Sequence, residues 1–460
     1  MNLKIAEILK ITGERTLLPG CARDISNNNI AGISTDSRKL KKGELFVALK
    51  GDKFNGNVFT PEAFRKGAIG AIVSNLNPKS QIRNPKFIVQ VSDTLKALGD
   101  IAKYYRRKFD IPLIAITGSC GKTTTKEITS AFLSEKFEVL RTKRNYNNLI
   151  GLPLTLFNID DKYDAAVVEI GMSCSGEIKR LTEIARPDIA LITNVGKAHK
   201  GFFNSLEDIA KAKAEIFNVS PRPKISVLNR DDKFFPYFVS KAKGRIITFG
   251  INKKSDFCAE KITFDSFGKA SFYLNGKIKI KMPFLGIGNV YNVLASFAVA
   301  SSMGVEIKQS VSALSKIKLP SGRTNFYKVN RVNILDDTYN ANPSSLINLL
   351  ETIEKIRIQG KKILVLGDML ELGKYSKKEH IKAGRLISNS SVDILIAVGQ
   401  KTKFTAKNIL GNKKVWHFND KDEARKKLES LLSKGDLLAI KGSRALEMDK
   451  MIPAIKGRLQ

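Results

Sequence analysis

A glycine-rich segment in the first third of the chain has the residue types of a phosphate-binding loop. It reads ITGSCGKTTTKE over residues 116–127 and follows an apolar run of the kind that forms a buried strand. Such a turn between a strand and a helix directs backbone N–H groups and the positive end of the helix dipole at an anion. Lys122 can reach the terminal phosphates of a nucleotide, and the Thr123 hydroxyl can ligate Mg²⁺. Gly118 and Gly121 enclose two residues instead of the usual four, so the loop is a variant of the common P-loop.

Two other strand-like runs end on residues that can bind a metal. VVEIG places Glu169 at the end of one run, and LITNVGKAH places His199 just beyond another. Ligands of open α/β sheets collect at the carboxyl ends of the strands, and Mg²⁺ prefers oxygen ligands. Glu169 and His199 are therefore candidates to complete a magnesium site beside Thr123, although either residue taken alone is equally well explained by a structural role.

A lysine lies on the apolar face of a predicted helix in SLEDIAKAKAEIFNV. The apolar arc consists of Leu206, Ile209, Ala212, Ile216 and Val219. Lys213 falls inside this arc, whereas Lys211 points to the opposite side. A desolvated lysine has a lowered pKa and must be paired or chemically useful. The alternative is a lysine at the edge of the stripe that extends its ammonium to water.

The last third of the chain repeats the pattern of polar residues after a strand. In LDDTYNANPSSL, Asp337 can accept hydrogen bonds from ribose hydroxyls and Asn340 can bond a base edge. In IKGSRALEM, Lys441 and Arg444 suit an anionic carboxylate, which arginine can bind with two hydrogen bonds. Turn chemistry explains any one of these segments, but together with GDMLELG they predict a site at one edge of a sheet.

The alternation of strands and helices indicates the framework that positions these residues. After residue 110 apolar runs alternate with helical segments, which is typical of a doubly wound parallel sheet. From about residue 256 to 282 alternating residues predict antiparallel strands, and the strand–helix alternation resumes after Pro320. We therefore predict three α/β domains: a smaller N-terminal domain over 1–110, a central domain with a P-loop-type parallel sheet over 111–322, and a Rossmann-like C-terminal domain over 323–460.

Composition sets the class of protein. The 460 residues are 43% hydrophobic and 27% charged with 4 Cys, which excludes a disordered chain, a collagen and a disulfide scaffold. The cysteines form no C-x-x-C pair, and no apolar run approaches the roughly 18 residues of a membrane helix. The net charge of +34 comes from lysines spread along the chain rather than clustered with aromatic residues. We expect a cytoplasmic enzyme with no membrane span and no nucleic-acid partner; a basic P-loop protein that acts on nucleic acid is the alternative.

The motifs resemble those of the Mur ligases over nearly the whole chain. The segments that carry the resemblance are STDSRKLKKGELFVALKG, TGSCGKTTTKE, NYNNLIGLP, ITNVGKAH, AKAEI, GNVYNV, SGR, DDTYNANP, GDMLELG and KGSR. DDTYNANP and GDMLELG favour the branch of the family that adds D-alanyl-D-alanine to UDP-N-acetylmuramoyl-tripeptide. Other ATP-dependent carboxylate–amine ligases remain as alternatives, namely the Mur enzyme that adds the third amino acid and the folylpolyglutamate synthases.

The resemblance implies a mechanism and a set of site residues. ATP would phosphorylate the terminal carboxylate of the tripeptide, and the amine of the dipeptide would attack the resulting acyl phosphate. Lys122 would hold the transferred phosphoryl group, and Thr123, Glu169, His199 and Lys213, the last as a carbamate, would bind Mg²⁺. The implied ATP-binding residues are Gly118, Ser119, Cys120, Gly121, Lys122, Thr123, Thr124, Asn289, Arg323, Asp337 and Asn340. The implied substrate-binding residues are Ser37, Arg38, Asn145, Asn148, Lys441, Ser443 and Arg444.

The chain departs from the family pattern in three places. Asn55-Gly56-Asn57 stands where Asp-Gly-His is common, Gly288 replaces a histidine, and Ser173-Cys174-Ser175 replaces a loop that usually carries Asn or His. None of these departures touches the phosphate or magnesium positions. The resemblance therefore predicts the reaction type more securely than the contacts to uridine. We expect a monomer.

Overall fold

Three β-sheets of four, nine and six strands follow one another along the chain. The computed structural model describes residues 1–13, 27–51, 54–75, 87–197, 201 and 203–459. The predicted α/β class with three successive units is confirmed by these sheets and the helices that alternate with them. The predicted boundaries near residues 110 and 322 fall in the gaps between the sheets.

The first sheet is parallel, with the strand order β1-β2-β5-β6. Its strands are β1 (Gly32–Ser34), β2 (Glu44–Val47), β5 (Gly70–Val73) and β6 (Ile88–Gln90), and the short strands β3 (Lys50–Gly51) and β4 (Phe54–Asn55) form an antiparallel pair beside it. The helices here are α1 (Ile5–Thr12), α2 (Thr60–Arg65) and α3 (Thr94–Arg106). Helix α3 begins after Asp93, whose carboxylate accepts hydrogen bonds from the backbone N–H groups of Leu95 and Lys96 at 2.8 and 3.0 Å.

The central sheet has the order β15-β14-β13-β12-β11-β10-β7-β9-β8. Its strands are β7 (Leu113–Thr117), β8 (Val139–Arg141), β9 (Ala165–Glu169), β10 (Ile189–Ile192), β11 (Ile225–Asn229), β12 (Arg245–Gly250), β13 (Phe257–Phe264), β14 (Lys269–Leu274) and β15 (Ile278–Leu285). The strands from β8 to β13 pair in parallel, whereas β13, β14 and β15 pair antiparallel, as the alternating sequence predicts. Because β7, β9 and β10 are parallel neighbours, their carboxyl ends lie at one edge.

Helices cover both faces of the central sheet. They are α4 (Lys122–Leu133), α5 (Gly151–Leu156), α6 (Glu177–Ala185), α7 (Leu206–Ala214), α8 (Phe235–Lys241), α9 (Ile287–Ser302) and α10 (Ile307–Lys316). Helix α9 is buried along most of its length and packs against α4, with the rings of Phe132 and Phe297 4.9 Å apart between centroids. This packing fixes α4, and with it the loop that precedes Lys122.

The third sheet has the order β16-β17-β21-β18-β19-β20, and all of its pairs are parallel except β16 with β17. Its strands are β16 (Asn325–Val329), β17 (Val332–Asp337), β18 (Lys362–Gly367), β19 (Ile394–Val398), β20 (Lys414–Phe418) and β21 (Leu437–Lys441). The helices are α11 (Pro343–Lys355), α12 (Ser376–Ser388), α13 (Lys403–Ala406), α14 (Lys421–Leu431) and α15 (Met451–Leu459). Among the residues that the structure describes, no helix combines the length and the apolar character that crossing a membrane requires.

Candidate functional site

The phosphate-binding loop predicted from the sequence connects a buried strand to a helix. All five residues of β7 are buried, and α4 begins at Lys122 immediately after the loop. Gly118 and Gly121 have φ angles of +152° and +84°. A Cβ on Gly118 would lie 1.8 Å from the Thr193 hydroxyl, and one on Gly121 would lie 2.3 Å from Asn292. Both positions therefore need glycine for conformation and for space.

Hydrogen bonds to the end of β10 hold this loop in place. The backbone N–H of Cys120 donates to the Asn194 side chain at 3.0 Å, and Ser119 exchanges hydrogen bonds of 2.8 and 3.1 Å with Gly196. The Lys122 ammonium donates to the Gly118 carbonyl at 2.9 Å. The sequence analysis missed Asn194, although its signal was present, since it is a polar residue directly after a strand.

Glu169 is the last residue of β9, and it is 2% exposed. Contacts with three residues hold it in place. One carboxylate oxygen accepts a hydrogen bond from the Thr123 hydroxyl at 2.7 Å, and the other accepts one from the Asn147 side chain at 2.8 Å. The backbone N–H of Glu169 donates to the Thr142 hydroxyl at 3.1 Å. Thr123 and Glu169 thus place a hydroxyl and a carboxylate side by side, which are oxygen ligands of the kind that Mg²⁺ takes. His199, the third predicted ligand, lies outside the described residues.

Lys213 is 1% exposed in α7, as the apolar arc predicts. Its ammonium has no hydrogen bond or ion pair with any residue in the described ranges. Burial lowers the pKa of Lys213 well below its usual value, and the positive charge of Lys122 adds to this effect. Burial therefore favours the neutral form of the amine, and Lys122 and Cys120 of the phosphate loop lie near enough to influence its charge.

Residues at the ends of two strands of the third sheet and Asn289 of α9 line the same cleft as the phosphate loop. The Arg323 guanidinium stacks on the Tyr339 ring at 3.8 Å from its centroid, and one oxygen of Asp337 accepts the Thr324 N–H at 3.2 Å. Asn289 donates to the Leu285 carbonyl at 2.8 Å. Tyr339 was missed by the sequence analysis, because a tyrosine between polar turn residues gives no sign of the arginine that it contacts.

The predicted residues divide into those that line one cleft and those that do not. The cleft has a volume of about 1050 Å³ and is lined from both the central and the third sheet. The predicted residues in its lining are Ser119, Cys120, Gly121, Lys122, Thr123, Thr124, Asn145, Asn148, Glu169, Asn289, Arg323, Asp337 and Asn340. The predicted residues outside its lining are Gly118, Ser37, Arg38, Lys213, Lys441, Ser443 and Arg444.

The contacts of Lys441 differ from those that the sequence analysis expected. We predicted a cation free to bind a substrate carboxylate, but Lys441 is 1% exposed. Its ammonium donates to Asp337 at 2.5 Å and to the Asn340 carbonyl at 3.0 Å. Lys441 meets Asp337 because the two residues are paired positions in the register of the neighbouring strands β17 and β21. Lys441 thus contacts two predicted ATP-binding residues.

The other predicted substrate residues differ in exposure, because Ser37 and Ser443 are buried whereas Arg38 and Arg444 are exposed. Ser37 donates to Glu62 at 3.0 Å, and Asn148 accepts the Gly151 N–H at 2.8 Å at the start of α5. Ser443 accepts the Leu370 N–H at 2.8 Å, and the Arg444 side chain, 61% exposed, pairs with Asp449 at 2.9 Å.

Arg38 is the most exposed of these residues, with 82% of its side chain accessible. It pairs with Asp36 through hydrogen bonds of 2.9 and 3.0 Å, and this contact lowers the pKa of the Asp36 carboxyl.

Comparison with family models covers most of the chain. The model described as Mur ligase middle domain matches residues 116–300, the one described as Mur ligase, glutamate ligase domain matches 322–444, and the one described as Mur ligase family, catalytic domain matches 29–106. The first two matches contain the phosphate loop, Glu169, Lys213, Arg323 and Asp337.

Individual relatives and solved structures agree with these matches. The UDP-N-acetylmuramoyl-tripeptide--D-alanyl-D-alanine ligase of Bacillus subtilis is 33% identical over 428 residues, which are 92% of each chain. A crystal structure of MurF from Acinetobacter baumannii superposes with a TM-score of 0.89 at 30% identity, over 99% of this chain and 98% of that one. The MurF ligase of Thermotoga maritima, solved in complex with ADP, superposes with a TM-score of 0.83 at 29% identity, over 93% and 97%. The chain belongs to the Mur ligase family.

Proposed function

We propose that this chain joins D-alanyl-D-alanine to UDP-N-acetylmuramoyl-tripeptide with the hydrolysis of ATP to ADP and phosphate, and so makes a precursor of peptidoglycan. The observation that carries the proposal is that a single cleft brings the phosphate loop together with Arg323 and Asp337, in a chain that matches relatives of that name over nearly their whole length. The relative solved with ADP supports the nucleotide. The three units would divide the work, with residues 1–110 binding the UDP-linked substrate, 111–322 binding ATP and 323–460 binding the dipeptide.

The reaction activates a carboxylate before an amine attacks it. An oxygen of the tripeptide carboxylate takes the γ-phosphoryl group of ATP, and ADP leaves. The amine of the dipeptide then attacks the acyl carbon of the acyl phosphate, inorganic phosphate leaves, and the amine loses a proton as the amide forms. A poor leaving group is replaced by a good one, so the work of the protein is to position anions and to neutralise charge.

The residues of the cleft fit these tasks. The Lys122 ammonium, held at the mouth of the loop by the Gly118 carbonyl, is placed to follow the phosphoryl group. The hydroxyl of Thr123 and the carboxylate of Glu169 would hold Mg²⁺, which when bound offsets the charge of the phosphates. Burial favours the neutral form of the Lys213 amine, which would attack carbon dioxide and release a proton to give a carbamate that extends this ligand set.

The nucleotide and the dipeptide are assigned to different residues. Asn289, Arg323, Asp337 and Asn340 would contact the nucleoside part of ATP. Ser443 and Arg444, at the end of β21, would face the dipeptide. The role of His199, the monomeric state and the cytoplasmic location stay predictions.

A substrate panel tests the proposed function. Purified protein with ATP, Mg²⁺ and UDP-N-acetylmuramoyl-tripeptide is expected to release phosphate only when D-alanyl-D-alanine is present. When the tripeptide carboxylate carries ¹⁸O, one labelled oxygen is expected in the released phosphate. Phosphate release with a free amino acid and the UDP-linked dipeptide would instead identify the Mur enzyme that adds the third residue, and unlabelled phosphate would exclude the acyl phosphate.

A further inference from the structure

Lys441 is a buried charge whose position the proposed reaction does not explain. It is the last residue of β21, and only 1% of its surface is exposed. A buried ammonium costs free energy unless it is paired and hydrogen-bonded. Its partners are the Asp337 carboxylate at 2.5 Å and the Asn340 carbonyl at 3.0 Å.

These partners face the cleft, whereas Lys441 itself does not. Asp337 and Asn340 both line the cavity that the phosphate loop also lines, whereas Lys441 is absent from that lining. Asp337 uses its second oxygen to accept the Thr324 N–H at 3.2 Å. Its carboxylate is therefore held from two sides, by a side chain of β21 and by the backbone that follows Arg323.

The charge balance around Asp337 depends on Lys441. Burial raises the pKa of Asp337, while Lys441 and, to a lesser extent, Arg323 oppose this rise. Loss of the ammonium would leave the carboxylate buried beside a more distant guanidinium. A carboxylate in that state is expected to take up a proton or to turn away, and either change alters the surface that meets the nucleotide.

We propose that Lys441 is a positioning residue for the nucleotide, and not a ligand of the incoming dipeptide: it fixes the Asp337 carboxylate so that this group receives the ribose of ATP. The inference rests on the proposed ATP site and assigns Lys441 an indirect role there. Because the side chain does not line the cleft, its effect passes through Asp337.

The test is a double-mutant cycle read out by ADP binding. We compare the wild type, Lys441→Met, Asp337→Asn and the double variant by isothermal titration with ADP and Mg²⁺. Lys441→Met is expected to weaken ADP binding about tenfold in the wild-type background and by less than about threefold in the Asp337→Asn background. An effect below about threefold in the wild type, or of about threefold or more in the Asp337→Asn background, would overturn the proposal.

Steady-state kinetics and a matched control complete the experiment. The KM for D-alanyl-D-alanine is expected to stay within about twofold of the wild type in Lys441→Met, because the dipeptide does not contact this residue. A rise in that KM with unchanged ADP affinity would overturn the proposal and restore the original assignment of Lys441. Lys414→Met, which replaces an exposed lysine on β20 of the same sheet, is the control for loss of a charge.

Folding and function are controlled separately. Circular dichroism and thermal unfolding establish that each variant is folded. If Lys441→Met does not fold, a difference of about threefold or more between Asp337→Asn and the double variant, in which both charges are removed, still overturns the proposal. ADP binding needs neither peptide substrate, so a chain that ligates a different amine would fail the substrate panel and still pass this test.

Discussion

The phosphate site and the turn at residues 34–38 differ in how firmly the protein holds its own charges. At the phosphate site Glu169 is 2% exposed and bonded to Thr123 and Asn147, which belong to two other segments. In the N-terminal turn the Arg38 side chain is 82% exposed, and its ion-pair partner is Asp36, two residues away. Charges fixed in a low-dielectric cleft act strongly on a reaction, whereas exposed pairs are screened by water and salt.

The difference follows from the strands beneath each site. β7 and β9 are buried along all of their residues, but β1 has three half-buried residues at the edge of its sheet. Packing on both faces fixes where β7 and β9 end, whereas β1 leaves the turn that follows it open to solvent. Substitutions should therefore lower activity most in the central cleft and least at the N-terminal turn.

The largest effect is expected from Lys122→Ala. The Lys122 ammonium is a positive side chain at the mouth of the loop, so its loss removes charge stabilisation that the phosphoryl group needs in the transition state. We expect kcat to fall about 10³-fold while the fold is retained. Phosphate release and amide formation measure the first point, and circular dichroism measures the second.

Lys136→Ala is the control for this variant, since Lys136 is an exposed lysine just beyond the same helix. Near-normal turnover in Lys122→Ala would show that the Lys122 ammonium does not act in the reaction. The contrast between the phosphate site and the N-terminal turn would then fail.

The second largest effect is expected at Lys213. Lys213→Met replaces a buried amine, which has no partner among the described residues, by an apolar side chain. The protein should therefore be at least as stable as the wild type while kcat falls about 10²-fold. Thermal unfolding and phosphate release measure the two quantities. Lys211→Met, which replaces the exposed lysine two residues earlier, should change neither.

A carboxylate supplied from solution should partly replace the missing group. Lys213→Ala leaves space beside the cleft, and added formate or acetate is expected to restore part of the lost rate if the native group is a carbamate. Full activity of Lys213→Ala without any added carboxylate would show instead that Lys213 has a structural role.

The sequence predicts the residues of the central site better than it predicts the residues that hold them in place. The reason is physical. The strand, glycine turn and helix around Lys122 are neighbours in the chain, and helical periodicity places Lys213 on the apolar face of its helix. The contact of Lys441 with Asp337 depends on β21 lying between β17 and β18, and no local pattern specifies that order. An isolated KGSR motif therefore suggests a free cation where the fold makes a buried ion pair.

Asn147 shows the same limit within a motif that was recognised. NYNN supplies several asparagines, and the sequence analysis assigned Asn145 and Asn148 to the substrate. The structure gives Asn148 a role in starting α5 and gives Asn147 the contact with Glu169. Which asparagine turns toward the carboxylate depends on how the loop crosses the end of β9, and this is a tertiary property.

Asn147→Ala tests whether the holding of Glu169 matters for metal binding. Without the amide donor, one carboxylate oxygen loses its fixed position, so the Mg²⁺ concentration needed for half-maximal rate is expected to rise about tenfold. The rate at saturating Mg²⁺ should recover most of its wild-type value. Titrations of activity with Mg²⁺ measure both quantities.

Asn158→Ala is the matched control, because the side chain of this exposed asparagine donates to the Leu154 carbonyl, one turn back, and is not part of the cleft lining. An unchanged Mg²⁺ titration in Asn147→Ala would show that Thr123 and the backbone contact to Thr142 are sufficient to hold Glu169.

The smallest effect is expected from Arg38→Ala, and it is the change that can break the comparison. An exposed charge that already has an acidic neighbour contributes little on its own, so the KM for the UDP-linked substrate should rise about threefold with kcat unchanged. Because the interaction is open to solvent, the difference in KM between Arg38→Ala and the wild type should shrink as salt is raised from low concentration to about 0.5 M.

Arg65→Ala, which replaces an exposed arginine of α2 in the same unit, serves as the control. If Arg38→Ala instead lowered kcat as much as Lys122→Ala, the turn would have to close over the substrate in the transition state, and the exposure of Arg38 would no longer measure its importance.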